Sequence, residues 1–142
     1  NLEDDTNYLI GPGTTTKAIT DMLNQEKSIL GVDLLRNKEI IAKDLNEEEI
    51  LNIIGKDKTK IIISPIGRQG FILGRGNLQL SPAVIKKVGI QNIIIISTKY
   101  KLHTIPNQIL RTDIRDLELD DKIRGLYKVI VDYDEIRICE VK

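Results

Sequence analysis

The sequence has very few of the residues that form disulfides and zinc sites, since its 142 residues include one cysteine and one histidine. A single Cys139 cannot form an internal disulfide, which fits a reducing compartment and predicts a cytoplasmic protein. One histidine and one cysteine cannot supply the usual nitrogen and sulfur ligands of zinc, so we expect no metal site of that kind. Cys139 alternates with apolar residues, a pattern typical of a buried structural thiol.

The sequence also lacks an excess of charge of either sign. It has 21 lysines and arginines against 21 aspartates and glutamates, which gives a formal net charge of zero. Nucleic acid and membrane surfaces are therefore not predicted as partners, because both attract basic patches. The apolar runs are too short to span a bilayer, and we expect no signal peptide among these residues.

The length fits one compact domain, and we predict a single domain over residues 1–142. The chain begins at Asn1 without an initiator methionine and continues with three acidic residues, Glu3, Asp4 and Asp5. This start predicts a boundary within a longer protein. Apolar strands near both ends predict buried contacts with a missing half or with a second copy, and hence a homo-oligomer.

The most informative stretch runs from residue 60 to residue 82. The apolar run Ile61-Ile62-Ile63 is typical of a buried strand, and Ser64-Pro65 predicts the turn at which it ends. A loop rich in glycine, arginine and amide side chains follows, and it contains no carboxylate. Such donors fit a phosphate, a sugar or the edge of a nucleobase, although a purely structural connection is the alternative. Ser81-Pro82 then predicts the start of a helix.

A second glycine-rich turn follows the short apolar strand Tyr8-Leu9-Ile10. It runs from Gly11 to Lys17 and leads into a segment with apolar residues at helical spacing. The N–H groups and the positive dipole end at the start of such a helix favour an anion beside the threonine hydroxyls and Lys17. The spacing matches neither the P-loop nor the dinucleotide fingerprint. The alternative is a helix that its threonines cap and that binds no ligand.

The whole chain predicts an α/β fold with a mixed β-sheet, flanking helices and a C-terminal antiparallel hairpin, with about nine strands and four helices. Residues 28–35 predict a second strand that a right-handed crossover connects to the first, with Asp33 near its end. The apolar run 92–98 predicts a strand covered on both faces. The other predictions are a strand at 39–44, helices after Asn46 and Asp116, a loop at 99–106 that includes His103, a strand at 109–113, and a hairpin of residues 127–134 and 135–141.

These motifs resemble the carboxyl-terminal half of the ATP-NAD kinase-like proteins of bacteria and archaea, a branch related to the acetoin-catabolism protein AcoX. The resemblance covers nearly the whole chain, and four segments carry it: residues 8–19, 30–33, 64–71 and 74–82. The sequence departs from the family pattern at Arg68, where a glycine is usual, and at Leu78, where a glutamine is usual. It also has Asp113-Ile114-Arg115-Asp116 where the family has Asp-Thr-Gly-Asp.

The resemblance implies transfer of the γ-phosphate of ATP to NAD, with Mg²⁺, in the full-length proteins. It implies that a Gly-Gly-Asp-Gly segment in a missing N-terminal kinase half supplies the catalytic aspartate. This chain contains no such segment, so we expect it to bind nucleotide without turning it over. Ser64-Pro65-Ile66-Gly67 is similar to the family's Thr-Pro-x-Gly segment, which contacts NAD.

The predicted binding residues lie in the two glycine-rich segments and at Asp33. Arg68 and Arg75 are expected to neutralise phosphate, Asn77 and Gln79 to bind a ribose or a base, and Asp33 to bind a hydroxyl or a Mg²⁺ water. The full predicted set is Gly11, Gly13, Thr14, Thr15, Thr16, Lys17, Asp33, Ser64, Gly67, Arg68, Gln69, Gly70, Gly74, Arg75, Gly76, Asn77 and Gln79.

Two other functions stay open at this point. The Gly11 turn also resembles the phosphate turn of the ribose-5-phosphate isomerase and glucosamine-6-phosphate deaminase folds. In that interpretation Asp33 or Asp44 would act as a general base on a phosphorylated small molecule. The other possibility is a non-catalytic regulatory module that binds no small molecule.

Overall fold

Nine strands and five α-helices occur along the part of the chain that the computed structural model describes, which comprises residues 2–132 and 134–142. The strands are β1 (Asn7–Ile10), β2 (Asp33–Arg36), β3 (Glu39–Ala42), β4 (Thr59–Ile63), β5 (Phe71–Leu73), β6 (Ile93–Ile96), β7 (Arg111–Thr112), β8 (Gly125–Asp132) and β9 (Glu135–Val141). The helices are α1 (Thr14–Met22), α2 (Glu47–Ile54), α3 (Pro82–Val88), α4 (Lys99–Thr104) and α5 (Leu117–Ile123). Asn1, predicted at a boundary, and Tyr133, predicted in the last hairpin, lie outside the described residues.

Seven of these strands form one mixed sheet in the order β3-β2-β1-β4-β6-β8-β9. The four middle strands, β1, β4, β6 and β8, are parallel to one another. Antiparallel strands flank them on both sides, with β2 and β3 at one edge and β9 at the other. The predictions of a mixed α/β sheet and of a C-terminal antiparallel hairpin are therefore confirmed.

Polar side chains begin the helices where the sequence predicts them. The Asn46 side chain accepts a hydrogen bond from the Glu49 N–H, and the Glu49 carboxylate accepts one from the Asn46 N–H, which completes a capping box before α2. Ser81 accepts from the Val84 N–H at the start of α3, and Asp116 accepts from the Leu119 N–H at the start of α5. Local side-chain chemistry thus sets these three boundaries.

The two faces of the main sheet are covered unequally. One face carries the larger core, which α2, α3, α5 and the small β5–β7 sheet cover with buried aliphatic side chains. The opposite face packs Tyr8, Ile10, Leu35, Ile62 and Ile96 mainly against α1. Cys139 is buried in the larger core, and burial raises the pKa of its thiol, so the prediction of a buried structural thiol is confirmed.

The connection from β1 to β2 shows that the crossover prediction is wrong. β2 is antiparallel to β1, with Ile10 opposite Asp33, and it begins at residue 33 rather than at residue 28. The Asp33 carboxylate holds the N–H and the hydroxyl of Ser28, so the chain folds back beside the end of β1. The segment before Asp33 therefore forms a loop at this edge of the sheet.

Two further predictions are wrong in detail. Residues 99–104 form helix α4 rather than a loop, because the Thr98 hydroxyl accepts from the Lys101 N–H and Leu102 packs into the core. The strand predicted at 109–113 is reduced to the two residues of β7. It pairs with β5, which lies inside the glycine-rich loop and was not predicted.

Candidate functional site

Both glycine-rich loops open into one cleft. β1 and β4 are parallel neighbours, with Ile10 opposite Ile62, so the loops that follow them lie at the same edge of the sheet. The Gly11 N–H donates to the Ile62 carbonyl at 2.9 Å and joins the two strand ends. The cleft between the loops has a volume of about 330 Å³. The structure thus brings the two loops together at one edge of the sheet.

Four segments line this cleft, which we call the loop cleft. The first loop and α1 contribute Pro12, Gly13, Thr14 and Lys17. The second loop contributes Pro65, Ile66, Gly67 and Gly76. The segment before β2 contributes Ser28, Ile29 and Leu30, and α4 contributes Lys101. The cleft therefore combines an apolar surface with two lysines, and these lining residues include no carboxylate.

The first turn of α1 faces the loop cleft without a side-chain cap. Gly13 is the N-cap residue, and no side chain accepts a hydrogen bond there. The buried Thr16 hydroxyl instead donates to the carbonyls of Gly11 and Gly13 at 2.7 and 3.0 Å. These bonds hold the backbone of the Gly11–Gly13 turn in place. A helix start of this kind presents N–H groups and a positive dipole end to an anion. The alternative of a helix capped by its threonines is not what the structure shows.

The second loop is held by a buried asparagine. The Asn77 side chain accepts from the Gly74 N–H at 3.1 Å and donates to the Ile72 carbonyl at 2.9 Å. Asn77 is fully buried, so it shapes the loop and does not line the cleft. Gly70 and Gly74 pack closely against residues 109–113, whereas Gly67 has open space around it. The loop is therefore rigid where it meets β7 and open where it meets the cleft.

The predicted arginine and glutamine contacts lie outside the set of residues that line the cleft. The Arg75 guanidinium lies over the Phe71 ring, 3.9 Å from its centroid, and pairs with Asp113 at 3.2 Å. Arg68 and Gln69 are exposed, and Gln79 is half-buried. Their proposed contacts with phosphate, ribose or base stay predictions.

The two lysines of the cleft differ in their surroundings. The Lys17 ammonium is exposed and pairs with Asp21 at 2.8 Å along α1. Lys101 is partly buried on α4, and burial lowers its pKa because the charged form is less well solvated. An anion in the cleft would therefore meet Lys17, whose charge is paired with Asp21, and Lys101, which has no ion pair among the described residues.

Asp33 is fully buried beside the cleft and binds its own chain. Its carboxylate accepts from the Ser28 N–H at 2.7 Å, the Ser28 hydroxyl at 2.5 Å and the Asp44 N–H at 2.8 Å. Lys27 lies nearby and donates to the Ser28 carbonyl, and burial lowers its pKa while the charge of Asp33 partly opposes that shift. These bonds hold the segment that presents Ile29 and Leu30 to the cleft.

Among the predicted binding residues, Ser64 has a buried side-chain oxygen without a hydrogen bond. It is buried at the end of β4, and its hydroxyl has no hydrogen-bond partner among the described residues. Thr15, by contrast, is half-buried on α1 and does not line the cleft.

Sequence reasoning missed Lys101 and the apolar pair Ile29-Leu30. The signal for Lys101 was present in Thr98, which lies three residues before it and could cap a helix, but Pro106 suggested a loop. Ile29 and Leu30 were assigned to a strand because the run is apolar, yet both side chains are 79% exposed. His103 is exposed on α4 and does not line the cleft.

Comparison with protein families gives the chain an assignment. A family model described as the ATP-NAD kinase C-terminal domain matches residues 3–141. The chain belongs to this family. Comparisons with curated proteins and with solved structures gave no significant match. Among its described residues, this NAD kinase C-terminal domain has no helix that is long and apolar enough to cross a membrane.

Proposed function

We propose that this NAD kinase C-terminal domain binds NAD in the loop cleft, with a phosphate at the start of α1 and a ring against the apolar segment. The observation that carries the proposal is the open backbone at two glycines on opposite loops. A Cβ placed on Gly13 or on Gly67 would meet no atom within 4 Å, although both residues line the cleft. Open backbone of this kind lets a ligand approach the N–H groups closely.

The charges support a phosphate ligand. Lys17 and Lys101 line the cleft from two helices, and the side chains around them bring no carboxylate into it. A dinucleotide carries its negative charge on the pyrophosphate, so the lysines and the uncapped turn of α1 would share that group.

The apolar segment supports a ring. Ile29 and Leu30 are both 79% exposed, and Pro65 and Ile66 line the cleft with them. Ligand sites commonly combine such apolar surface with a few polar groups that fix orientation. A planar base placed here would cover side chains that are otherwise in contact with water.

The family reaction also uses ATP and Mg²⁺, and the described residues of this domain offer no cluster of side chains for the metal. No group of three histidine, cysteine, aspartate or glutamate side chains suited to a metal occurs among the described residues. We therefore infer that the domain supplies the NAD-binding half of a longer kinase. Mg²⁺, when bound, neutralises phosphate charge during transfer. The residues of this chain would hold and position the acceptor nucleotide.

The isomerase-like alternative receives no support from the geometry. It needs a general base that faces the cleft, and Asp33 is buried with both oxygens in hydrogen bonds. Asp44 is exposed but does not line the cleft. A regulatory module without a ligand would leave the open glycines and the two lysines without a role.

Calorimetric titration of the 142-residue chain with NAD, ATP and ribose-5-phosphate tests the proposal. We expect NAD to bind and the double variant Lys17→Met/Lys101→Met to weaken binding about tenfold or more, because charge-assisted bonds to phosphate are lost. Lys38→Met is the matched control, since Lys38 is an exposed lysine in the β2–β3 turn, at the opposite end of the sheet.

Two results would contradict the proposal. One is the absence of NAD binding at millimolar concentration. The other is NAD binding that Lys17→Met/Lys101→Met and Lys38→Met change to the same extent. Tighter binding of ribose-5-phosphate than of NAD would favour the sugar-phosphate alternative.

A further inference from the structure

Four arginines lie close together beside the second glycine-rich loop, outside the set of residues that line the loop cleft. They are Arg68 and Arg75 in the loop, Arg111 in β7 and Arg115 shortly after it. Residues 67–76 and 109–115 together contain these four arginines and a single carboxylate, that of Asp113. The chain as a whole has a formal net charge of zero, so this is a local excess of positive charge.

The side chain of Arg75 lies over an aromatic ring that also neighbours a second arginine. Its guanidinium is 3.9 Å from the centroid of the Phe71 ring. Phe71 is opposite Arg111 in the β5–β7 pairing, and paired residues of neighbouring strands lie on the same face of a sheet. Arg75 and Arg111 therefore both lie beside the Phe71 ring.

Two hydrogen bonds bring the other arginines to the same place. The Arg75 guanidinium donates from Nη1 to the Gln69 side chain at 3.4 Å, and Arg68 precedes Gln69 in the chain. It donates from Nε to the Asp113 carboxylate at 3.2 Å, two residues before Arg115. We call the six residues of this region the arginine surface: Arg68, Gln69, Phe71, Arg75, Arg111 and Arg115.

Three of these arginines have no acidic partner. Arg68, Arg111 and Arg115 are exposed and form no ion pair with a described residue. Arg115 also has a φ of 60°, a conformation that strains a residue with a Cβ and that glycine adopts without strain. An unpaired cation at a strained backbone position favours a role in binding, because the fold gains no ion pair from it among the described residues.

The arginine surface borders the loop cleft. Gly67 and Gly76 line the cleft, and Arg68 and Arg75 are their direct neighbours in the chain, about 3.8 Å away between Cα atoms. None of the four arginines lines the cleft itself. A ligand on the arginine surface would therefore lie beside a nucleotide in the cleft without displacing it.

We propose that the arginine surface binds the phosphate chain of the phosphoryl donor. This inference rests on the proposed function, because the loop cleft then holds the acceptor nucleotide next to the donor. The planar N–H groups of a guanidinium pair with two phosphate oxygens, and Arg75 is already oriented by the Phe71 ring and by Asp113. A chain of phosphate groups can meet several arginines at once. A nucleoside triphosphate and inorganic polyphosphate share this chemistry.

Calorimetric titration of the 142-residue chain with inorganic tripolyphosphate and with ATP tests the proposal, at low salt to limit screening of the charges. We expect both ligands to bind and Arg68→Gly/Arg115→Gly to weaken both about tenfold or more, because charge-assisted hydrogen bonds are lost. Glycine is unstrained at the φ of residue 115, so this variant is expected to fold. Lys38→Gly/Lys56→Gly is the matched control, since it removes two exposed lysines from turns at the opposite end of the sheet, and Lys38 also has a positive φ, 66°.

The two ligands separate the two sources of a phosphate chain. If only one of them binds and the arginine variant weakens it, that ligand identifies the class of donor. Absence of binding at about 5 mM, or equal effects of the two glycine variants, would overturn the proposal. A larger loss of tripolyphosphate binding in Lys17→Met/Lys101→Met than in the arginine variant would place the phosphate chain in the cleft and would also overturn it. NAD binding should be unchanged in the arginine variant, so a failure of donor binding alone leaves the proposed NAD site standing.

Removal of the neighbouring carboxylate gives an independent test, since it should tighten binding. Asp113→Asn keeps the backbone hydrogen bond of residue 113 and frees Arg75 from its ion pair, so tripolyphosphate should bind about threefold to tenfold more tightly. Asp57→Asn is the matched control, because Asp57 pairs with Arg36 at 3.8 Å at the other end of the sheet. Unchanged or weaker binding in Asp113→Asn would overturn the role of Arg75.

Discussion

Gly74→Ala tests how the second loop is held in place. Gly74 has a φ of 90°, and a Cβ on it would lie 2.0 Å from the Asp113 carbonyl oxygen. A hydrogen bond joins the two segments beside this point, where the Asp113 N–H donates to the Leu73 carbonyl at 3.0 Å. A backbone oxygen cannot move aside as a side chain can. The substitution must therefore separate this loop from residues 111–113.

The cost of Gly74→Ala follows from two effects. An alanine at positive φ is strained by about 1–2 kcal/mol. Separation also breaks the Asp113–Leu73 bond and disturbs the Gly74–Asn77 bond, and each buried polar group left unpaired costs about 1–3 kcal/mol. With one group left unpaired at each of the two bonds, the sum is about 3–8 kcal/mol, a large fraction of the 5–15 kcal/mol that is typical of a folded domain.

Urea unfolding followed by circular dichroism measures this cost, and Gly67→Ala is its matched control. Gly67 also has a positive φ, 68°, but a Cβ there would meet no atom within 4 Å. We expect Gly67→Ala to lower the free energy of unfolding by only the strain, about 1–2 kcal/mol. If the two variants differ by less than about 1 kcal/mol, the close packing of the second loop on residues 111–113 is not what stabilises it.

Three further substitutions test other contacts within the fold. Asp33→Asn should lower the free energy of unfolding by about 2–4 kcal/mol in thermal denaturation, because its amide would face the Ser28 donors; a loss below about 1 kcal/mol would refute this. Thr16→Val should cost about 1–2 kcal/mol, since the Gly11 carbonyl loses its donor and the Gly13 carbonyl keeps only the Lys17 N–H, whereas Thr15→Val should cost little. Hydrogen bonds from Lys58 and Lys60 lower the pKa of Glu3 to about 2, from 4.5. The ionised Glu3 carboxylate therefore contributes fully to stability above pH 4.5, and this contribution is lost as the pH falls towards 2. Glu3→Gln should flatten the pH dependence of the free energy of unfolding between these values. An unchanged dependence would count against the pairing of Glu3 with Lys58 and Lys60.

Local rules predicted the elements whose boundaries a single side chain sets. Asn46, Ser81 and Asp116 cap their helices in the structure because each cap needs only residues within the next turn. Two strands of the parallel middle were also predictable, since β6 is a continuous run of four isoleucines and β4 ends in three. These features depend on composition over a few residues.

Features that depend on distant contacts could not be predicted in this way. The antiparallel return of β2 follows from the bonds that buried Asp33 makes to Ser28 and Asp44, and the sequence pattern shows only an apolar run. Asn77 was predicted as a ligand contact because it is a polar residue in a glycine-rich loop. Its side chain instead joins Gly74 to Ile72, a role that only the folded loop reveals.

The loop cleft itself was predictable because parallel neighbours place their carboxyl ends together. The sequence predicted both loops and Lys17, but the cleft also needs Lys101 and the segment with Ile29 and Leu30. Those residues reach the cleft through α4 and through the Asp33 bonds, which are tertiary features. Two of the four segments that line the cleft therefore carry no binding motif.

The most direct test of the central claim is an NMR titration of the ¹⁵N-labelled 142-residue chain with NAD. We expect saturable shifts of the backbone amides that line the loop cleft, those of Gly13, Thr14, Gly67, Gly76 and Lys101, while the amide of Lys38 stays unchanged. Shifts that cluster away from both loops, or spectra that stay unchanged at millimolar NAD, would contradict it.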